Sequence, residues 1–364
     1  MEEILKHTPL FEVHRSLNGR MVPFGGWEMP LQYEGILAEY EATRRAVTVF
    51  DTSHMGEFLV DGDCVESGLD RLVTFSLKDL PVKSCRYGVM LNDRGGVIDD
   101  LIVFRLGEER WLIVVNGATT AKDAQQFQAH MTKQSVFRNI SQDLGKLDIQ
   151  GPLARDILKP LVPQIEKLNY YTFDEFFLLG EKAIVSRTGY TGELGYEIYF
   201  PWQKTQRLWH EILKDKRVKP AGLGARDVLR LEMGYSLYGH ELDETISVLE
   251  AGLDKFIDFT KDFIGKEALL KQKRAGIKRK LICFSCESRR SPRAEHKIYS
   301  TDNNEIGVVT SGTFSPSLKK GIGMGFVASD RGAKGEKILF GDEHNKILGE
   351  VTARPFYKDG SLKN

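Results

Sequence analysis

Apolar residues recur along this chain in two ways, one typical of strands and one typical of helices. Residues 87–91 and 96–104 are apolar runs that flank Asn92-Asp-Arg-Gly95, a favourable turn sequence, so they predict a β-hairpin. The apolar run at 111–115 predicts a second hairpin with the end of the preceding run. Helical spacing of apolar residues predicts helices near 36–46, 120–133, 208–213 and 227–233. Because strands and helices intermix without strict alternation, the pattern favours an α+β fold over a doubly wound sheet.

The pattern changes beyond about residue 275, where short β-rich runs are separated by Gly, Asn, Asp, Pro and Lys. The runs occupy residues 281–285, 305–310, 322–327, 337–340 and 346–352. Such spacing is typical of a small antiparallel barrel or sandwich. The charged stretch from Lys266 to Lys280 is interpreted as the connector that precedes it.

Length and charge narrow the classes of partner. A chain of 364 residues has the length of roughly two or three domains. Lys and Arg together number 51, as do Asp and Glu, so net charge gives no general reason to expect nucleic acid or an anionic membrane as a partner. No run approaches the roughly 20 apolar residues of a membrane span. The acidic start resembles neither a secretory signal nor a transit peptide, so we expect a soluble protein of the bacterial cytoplasm.

Four cysteines in this length indicate no disulfide scaffold. Cys283-Phe-Ser-Cys286 is a single C-x-x-C without the second pair that a zinc site needs. Since it lies in a strand-like run, we expect buried structural thiols there, and no metal site.

The segment from Ser186 to Glu197 combines three glycines with two tyrosines and two carboxylates. The glycines allow tight turns or the close approach of a ligand, and residues 196–200 predict a strand. Tyr190 could stack on a flat ring, and Glu197 could accept paired hydrogen bonds from a guanidine-like edge. A glycine-rich hairpin with solvated charges explains the same composition, so both interpretations stay open.

Two adjacent acids, Asp99 and Asp100, interrupt an otherwise apolar strand. Side chains alternate across a strand, so the two acids face opposite ways, with Asp100 on the face of Ile98, Ile102 and Phe104. Whichever acid points inward must be paired or hydrogen-bonded, because an isolated buried carboxylate is strongly unfavourable. A catalytic carboxylate and a salt-bridged structural aspartate both fit this position.

Two further positions carry candidate chemistry. His54 has no second histidine at ligand spacing, so we favour a structural or pocket-lining role for it. Arg226 lies at the start of a predicted helix, where a cation opposes the helix dipole unless an anion binds beside it. A salt bridge to Asp227 or Glu232 is the competing interpretation.

Eleven short motifs, in order along nearly the whole chain, point to one family. They are Thr8-Pro-Leu-Phe11, Phe24-Gly-Gly-Trp-Glu-Met-Pro30, Phe50-Asp-Thr-Ser-His-Met-Gly-Glu57, Gly95-Gly-Val-Ile-Asp-Asp100, Val114-Val-Asn116, Gln150-Gly-Pro152, Ser186-Arg-Thr-Gly-Tyr-Thr-Gly-Glu193, Pro220-Ala-Gly-Leu-Gly-Ala-Arg-Asp227, Asp262-Phe-Ile-Gly-Lys266, Thr310-Ser-Gly312 and Pro355-Phe-Tyr357. Together they resemble the T-proteins of the glycine cleavage system, which are tetrahydrofolate-dependent aminomethyltransferases. One such motif could arise by chance, whereas eleven in register are very specific.

The resemblance implies three domains packed around a central opening that holds the folate. The first folate-binding domain would comprise residues 1–50 and 145–265, and the second residues 51–144. Residues 275–364 would form a C-terminal antiparallel β-barrel.

The resemblance also implies roles for seven residues. Asp100 takes the position of the key aspartate, close to the folate N10, and Glu197 that of the acid that binds the pterin edge. Arg226 takes the position of an arginine near the glutamate tail. The remaining positions line the pocket: Met55, Asn116, Tyr190 and Tyr235.

The family reaction moves a one-carbon unit from an aminomethyl group on the dihydrolipoyl arm of H-protein to tetrahydrofolate. Ammonia departs, and 5,10-methylenetetrahydrofolate and dihydrolipoyl H-protein remain. The resemblance therefore implies tetrahydrofolate as co-substrate and no metal, flavin or nicotinamide. Lipoylated H-protein is the implied direct partner, with P-protein and L-protein as functional partners.

Two related activities compete with this interpretation. A folate-dependent demethylase of a small methylated substrate could keep Glu197 and Arg226 and change only the donor pocket. An accessory folate-binding protein would carry a Lys-Gly-Cys-Tyr-Thr-Gly-Gln-Glu signature, whereas this chain has Arg187-Thr-Gly-Tyr-Thr-Gly-Glu193 without a cysteine.

The chain departs from the family pattern at three places. Val248-Leu249 stands where a proline is usual, and Lys255-Phe256 where a tryptophan is common. Position 104 is Phe where Tyr is frequent. These departures bear on the local shape of the expected pocket.

Overall fold

The computed structural model describes residues 4–363, within which it has nineteen strands and eight α-helices. The strands are β1 (Arg20–Phe24), β2 (Trp27–Gln32), β3 (Val47–Asp51), β4 (Gly56–Asp61), β5 (Cys85–Leu91), β6 (Val97–Gly107), β7 (Arg110–Val115), β8 (Val136–Asn139), β9 (Leu144–Gln150), β10 (Phe173–Leu178), β11 (Glu181–Ser186), β12 (Gly195–Pro201), β13 (Val218–Pro220), β14 (Arg279–Cys286), β15 (Lys297–Ser300), β16 (Glu305–Ser315), β17 (Lys320–Ala328), β18 (Lys337–Gly341) and β19 (Lys346–Thr352). The helices are α1 (Phe11–Ser16), α2 (Ile36–Arg45), α3 (Leu69–Leu72), α4 (Thr120–His130), α5 (Ala154–Leu158), α6 (Thr205–Ile212), α7 (Leu223–Glu232) and α8 (Lys266–Ala275). Short 3₁₀ helices lie at Ile165–Lys167, Trp202–Lys204 and Asp254–Phe256.

A six-stranded sheet has the strand order β10-β11-β12-β9-β3-β13. Its neighbours pair antiparallel except β13, which runs parallel to β3. One face of this sheet is covered by α5 and α6 and buries Leu147, Ile149, Ile198 and Trp209 in one hydrophobic cluster. Alternation along β9 and β12 therefore sends the intervening side chains to the opposite face.

A five-stranded antiparallel sheet, ordered β5-β6-β7-β4-β8, is formed by the chain between β3 and β9. One face packs on α3 and α4 around Phe58, Trp111 and Phe127. The other face meets the six-stranded sheet, where Phe104 contacts Phe173 with ring centroids 5.1 Å apart. The two sheets thus lie against each other over part of their surfaces.

The predicted hairpin between β5 and β6 is confirmed. Gly95 adopts a φ of 81°, which L side chains rarely adopt, and its N–H donates to the Asn92 carbonyl at 2.9 Å. The Asn92 side-chain oxygen accepts from the N–H groups of Arg94 and Gly96. This turn sets the register that positions the two acids of β6.

The C-terminal strands close into a barrel in the order β14-β17-β16-β15-β18-β19, as predicted. Its interior contains Phe284, Ile298 and Phe340. The strand β15 was not predicted, because its four residues place only Ile298 and Tyr299 between a lysine and a serine. In the same region, Cys283 and Cys286 are free, buried and on opposite faces of β14, which agrees with structural thiols.

The stretch interpreted as a connector does precede the barrel, and it contains a helix that the sequence did not predict. The helix α8 spans Lys266–Ala275, and β14 begins at Arg279. Only Leu269 of this helix is buried, and its cationic side chains lie toward solvent. One buried position in ten residues is too few to produce a helical apolar pattern.

The domain boundaries stay a prediction. The strand β3 continues to Asp51, beyond the expected boundary at residue 50, and β9 begins at Leu144, before the expected boundary at 145. The two strands pair directly, so the chain leaves and re-enters the six-stranded sheet at neighbouring positions. Among the described residues, none of the helices has both the length and the apolar composition that crossing a membrane requires.

Candidate active site

Asp100 and Glu197, which are expected to act together, lie on the facing surfaces of the five-stranded and six-stranded sheets. Asp100 shares a face of β6 with Phe104, and Glu197 shares a face of β12 with Tyr199. The Phe104 and Tyr199 rings meet edge to face with centroids 5.6 Å apart. Both carboxyl groups therefore project toward the space between the sheets.

The alternation predicted along β6 fails at one residue. Ile98 lies at a β-bulge in the pairing of β5 with β6. It packs with Leu101 and Val103, on the face of Asp99, and not beside Asp100 as expected. Asp100 is thus the first residue of the face that looks toward the six-stranded sheet.

Asp100 is half-buried and accepts two side-chain hydrogen bonds. The Tyr87 hydroxyl donates to Oδ2 at 3.1 Å, and the Asn116 side-chain amide donates to Oδ1 at 2.8 Å. Burial, followed by the charge of Asp99, raises the pKa of Asp100 to about 7. A carboxyl group with that pKa can gain or lose a proton near neutral pH.

Asp99 is fully buried and belongs to a hydrogen-bonded network behind Asp100. It accepts from the Asn116 backbone N–H at 3.0 Å, the Asn116 amide at 2.8 Å and the Thr119 hydroxyl at 2.9 Å. Burial and Asp99 together raise the pKa of Asp123 to about 10. Asp123 is therefore protonated at neutral pH and is the donor in its hydrogen bond with Asp99. Of the two adjacent acids, Asp99 is therefore the one whose hydrogen bonds are typical of a structural aspartate.

Glu197 is buried in a cluster of four charged side chains. Lys146 Nζ lies 3.1 Å from Glu197 Oε2 and 2.8 Å from Asp148 Oδ1. The Tyr199 hydroxyl also donates to Glu197 Oε2, at 3.2 Å. Burial raises the pKa of Glu197, and the charge of Lys146 opposes that rise.

The fourth member of this cluster is Arg226. Its Nη1 donates to Asp148 Oδ2 at 2.7 Å, and its guanidinium lies over the Tyr190 ring, 5.0 Å from the centroid. The expected alternative partners are engaged elsewhere, since Asp227 pairs with Arg230 and Glu232 pairs with another arginine. Arg226 therefore forms a salt bridge, as the competing interpretation expected, but its partner is Asp148 and not Asp227 or Glu232.

The two predicted tyrosines stack on each other. The rings of Tyr190 and Tyr235 lie 5.5 Å apart at an interplanar angle of 20°. The Tyr190 hydroxyl donates to the Ser236 carbonyl, which fixes the ring beside Arg226. Burial is the largest cause of the raised pKa of Tyr190, and the charge of Asp100 adds to it.

His54 is buried beside the same cluster, in agreement with a structural or pocket-lining role. Burial lowers its pKa to about 4, so the imidazole is neutral at physiological pH. Its ring meets Phe24 edge to face with centroids 5.5 Å apart. The next residue, Met55, is half-buried and places its sulfur 3.7 Å from Lys146 Nζ.

The glycines of the 186–197 segment serve close packing. A Cβ at Gly189 or Gly195 would lie 2.2 Å from the Gln150 side chain, and one at Gly192 would lie 2.3 Å from Met233. Gly192 also has a φ of 81°. The structural interpretation therefore accounts for the glycines, whereas Tyr190 and Glu197 contact the charged cluster.

Six of the seven predicted residues are half-buried, and the seventh, Glu197, is 5% exposed. Burial nevertheless raises the pKa of Asp100 and of its neighbour Tyr87. Partly exposed side chains around which protein atoms crowd are suited to line a binding recess. Two surface depressions, of about 440 and 280 Å³, lie on α6 and between residues 82–84 and 164–176, and none of the seven residues lines them.

No group of three or more His, Cys, Asp or Glu side chains within residues 4–363 is arranged to hold a metal ion. The side chains at this site are suited to acid–base and hydrogen-bonding chemistry: one carboxyl group has a near-neutral pKa, another is held beside a lysine, and two aromatic rings stack on each other.

Models of known families match most of the chain. The GCVT N-terminal domain matches residues 10–261, and the glycine cleavage T-protein C-terminal barrel domain matches residues 279–358. The chain belongs to the glycine cleavage T-protein family of aminomethyltransferases.

Relatives of this family agree over the full length. The aminomethyltransferase of Pseudothermotoga lettingae is 43% identical over 365 residues, which cover 99% of this chain and 100% of the relative. That of Halothermothrix orenii is 42% identical over 357 residues, 97% of this chain and 100% of the relative. The crystal structure of glycine cleavage system aminomethyltransferase T from Bartonella henselae matches with a TM-score of 0.92 at 30% identity, covering 98% of this chain and 99% of that one.

The resemblance inferred from the motifs is thereby confirmed, and so is the activity class: the protein is an aminomethyltransferase. Neither the demethylase nor the accessory folate-binding interpretation receives support from these relatives.

Sequence reasoning missed three side chains that shape the T-protein site: Tyr87, Lys146 and Asp148. Charged and apolar residues alternate over 144–150, which predicts a strand with one solvated face. In the structure the five-stranded sheet covers that face, so Lys146 is 1% exposed and Asp148 fully buried. The alternation therefore indicates the strand, but it does not indicate that Lys146 and Asp148 belong to the site.

Two departures from the family pattern lie against these residues. Phe256 contacts the Tyr87 ring edge to face with centroids 4.8 Å apart, and Tyr87 in turn donates to Asp100. Phe104 contacts Tyr199, which donates to Glu197. Each substituted aromatic residue therefore packs against a side chain that holds one of the two acids.

Proposed function

We propose that tetrahydrofolate binds in a recess between the five-stranded and six-stranded sheets, with its pterin at Glu197 and its N10 at Asp100. One observation carries this proposal: the two acids project from facing strands toward one space. Tyr190 and Tyr235 supply flat rings beside Arg226 of the charged cluster. A reduced pterin with its bridging amine has the polar edge, flat ring and nitrogen that such a site would recognise.

At the pterin end, Glu197 would accept hydrogen bonds from the guanidine-like edge. The described contacts of its carboxylate are all to Oε2, from Lys146 and Tyr199. Its Oε1 is thus the oxygen available to a ligand. A carboxylate that accepts such N–H donors orients the whole ring, which fixes where N10 lies.

At the other end, Asp100 would accept the proton of N10 as that nitrogen attacks the one-carbon unit. In the family reaction the carbon–sulfur bond to the dihydrolipoyl arm and the carbon–nitrogen bond to ammonia break, and bonds from the carbon to N5 and N10 form. The two protons lost from N5 and N10 end on the released thiol and on ammonia. Asp100, with a pKa of about 7, suits the transfer of one of them.

We revise the role of Arg226. The glutamate tail and the pterin are opposite ends of a folate, whereas Arg226 shares Asp148 with the lysine that holds Glu197. If Glu197 binds the pterin, Arg226 lies at the pterin end. Its position over the Tyr190 ring supports the same location.

We also propose the wider setting of the reaction. The carbon donor is lipoylated H-protein carrying an aminomethyl group, and P-protein and L-protein act in the same system. The site of action is the bacterial cytoplasm. The division into residues 1–50 with 145–265, residues 51–144 and residues 275–364 is proposed for the domains, and the separate sheets and barrel support it.

An assay with aminomethyl-loaded H-protein tests this function. Ammonia release should depend on tetrahydrofolate, with 5,10-methylenetetrahydrofolate formed in equal amount. A parallel arm offers a small methylated amine as the only carbon donor. Folate-dependent turnover of that amine, with none from H-protein, would favour the demethylase instead.

A further inference from the structure

The buried pair Lys146 and Asp148 belongs to none of the motifs that identify the family. We propose that both are positioning residues for folate binding: Lys146 keeps Glu197 ionised with Oε1 facing the recess, and Asp148 keeps Arg226 from taking over that carboxylate. This inference rests on the proposed role of Glu197 as the pterin-binding acid.

The contacts of Lys146 define its role. Its ammonium group lies 2.8 Å from Asp148 Oδ1, 3.1 Å from Glu197 Oε2 and 3.3 Å from the Thr52 hydroxyl. In the pairing of β12 with β9, Glu197 lies opposite Asp148, and Tyr199 lies opposite Lys146. The lysine therefore reaches Glu197 diagonally across the sheet, from one side only.

The balance of charges in the cluster explains how Lys146 affects the protonation of Glu197. Lys146 and Arg226 are the cations of the cluster, and Asp148 and Glu197 are the anions, so the buried group carries no net charge. Without Lys146, two carboxylates would share a single arginine. Burial raises the pKa of Glu197, so the surplus negative charge would be removed by protonation of this acid. A protonated Glu197 would present a donor, or lose one acceptor, where the pterin edge offers N–H groups.

The other titratable groups near this cluster have pKa values that are shifted toward their neutral forms. Burial raises the pKa of four of them, Tyr199, Tyr171, Cys85 and Glu57, and lowers that of His54. Glu57 is fully buried, and neither of its carboxyl oxygens has a hydrogen-bond partner, so its surroundings favour the protonated form. Lys146, Asp148 and Arg226 are therefore the charged groups that decide the state of Glu197.

The test is the pH dependence of tetrahydrofolate affinity, measured by calorimetry under anaerobic conditions between pH 6 and 8.5. The wild-type dissociation constant should be nearly constant. For Lys146→Met it should rise as pH falls, by up to about tenfold per pH unit where Glu197 takes up its proton. In the double variant K146M/D148A one acid and one arginine remain, so the flat pH dependence should return, while affinity stays below that of the wild type because Arg226 is free to pair with Glu197.

Two controls separate the possible failures. Glu197→Gln should weaken binding at every pH; if it binds folate like the wild type, the proposed function fails. If Glu197→Gln weakens binding but K146M keeps the wild-type pH profile, the function stands and the role of Lys146 is refuted. Lys219→Met, which removes an exposed lysine paired with Glu34 at 2.7 Å, is the matched control for loss of a lysine.

A second variant keeps the inference testable if K146M does not fold. Asp148→Asn retains Lys146 and frees Arg226 to pair with Glu197, so it should bind tetrahydrofolate more weakly than the wild type, by a similar factor at every pH. Wild-type affinity, or a loss of affinity that grows as pH falls, would overturn the assignment. Thermal unfolding of each variant shows which proteins are folded at the assay temperature.

Discussion

Replacing Asp100 with Asn should abolish most aminomethyl transfer while leaving the fold intact. The carboxyl group accepts hydrogen bonds from the Tyr87 hydroxyl at 3.1 Å and the Asn116 amide at 2.8 Å. An amide oxygen can accept from Asn116 in the same way, and the Tyr87 hydroxyl can turn to accept from the amide nitrogen. The substitution therefore removes the proton acceptor without leaving a buried polar group unpaired.

The magnitude follows from the role of a general base. Such a group contributes about 10²–10⁴ in rate, which corresponds to about 3–5 kcal/mol of transition-state stabilisation. Burial and the charge of Asp99 raise the pKa of Asp100 to about 7. The ionised fraction in the wild type then rises from about a tenth at pH 6 to about nine-tenths at pH 8, and kcat/KM should rise by about tenfold over that range.

The assay follows ammonia release from aminomethyl-loaded H-protein at saturating tetrahydrofolate, from pH 5.5 to 9. The variant should be slower by the factor given above, and its profile should lack the rise through neutral pH. Its tetrahydrofolate dissociation constant should stay within a few-fold of the wild type. Asp61→Asn, at an exposed ion pair with Arg138, is a matched carboxylate-to-amide control. Wild-type turnover by the Asp100 variant, or an unchanged pH profile, would refute the reasoning.

Three further substitutions test other parts of the site. Arg226→Ala should weaken binding of mono- and polyglutamylated folates equally, by about tenfold, because Arg226 acts at the pterin end. A loss of affinity confined to polyglutamylated folates would show instead that Arg226 contacts the glutamate tail. Tyr87→Phe removes a donor that lowers the pKa of Asp100, so the rise of kcat/KM should move to higher pH, and an unmoved profile would contradict this. Asp123 keeps its proton in the folded protein up to a pKa of about 10, above its value in the unfolded chain, so its contribution to stability falls as pH rises from about 4 toward 10. Asp123→Asn removes that pH-dependent loss. The free energy of unfolding of the variant, relative to that of the wild type, should therefore increase by up to about 1.4 kcal/mol per pH unit between pH 6 and 9. A difference that stays constant with pH in thermal unfolding would contradict the assignment.

Much of the part of the site around Asp100 could be predicted because it depends on local pattern. The turn at Asn92–Gly95 and the apolar run after it set a hairpin, and alternation along that strand separates Asp99 from Asp100. The β-bulge at Ile98 was not predictable, since an extra residue in one strand leaves the apolar composition unchanged. It did not displace Asp100, because the bulge lies before it.

The charged half of the site could not be predicted, because it depends on what covers a strand. Lys146 and Asp148 alternate with leucine and isoleucine, and the usual meaning of that pattern is a face turned to water. Only the arrangement of the two sheets shows that this face is buried. The same reason explains the missed partner of Arg226, since Asp148 lies far from it in sequence and opposite it in space.

The two acids of this site have different properties because their charged neighbours differ. Burial raises the pKa of both Asp100 and Glu197. The charged neighbour of Asp100 is a second acid, Asp99, which raises the pKa further, whereas that of Glu197 is Lys146, which lowers it. The first arrangement raises the pKa of Asp100 to about 7, whereas in the second the charge of Lys146 opposes the effect of burial and favours the ionised carboxylate of Glu197, which accepts hydrogen bonds. One acid is therefore suited to transfer a proton and the other to hold the ring in place, and exchanging their neighbours, rather than the acids themselves, should exchange those properties.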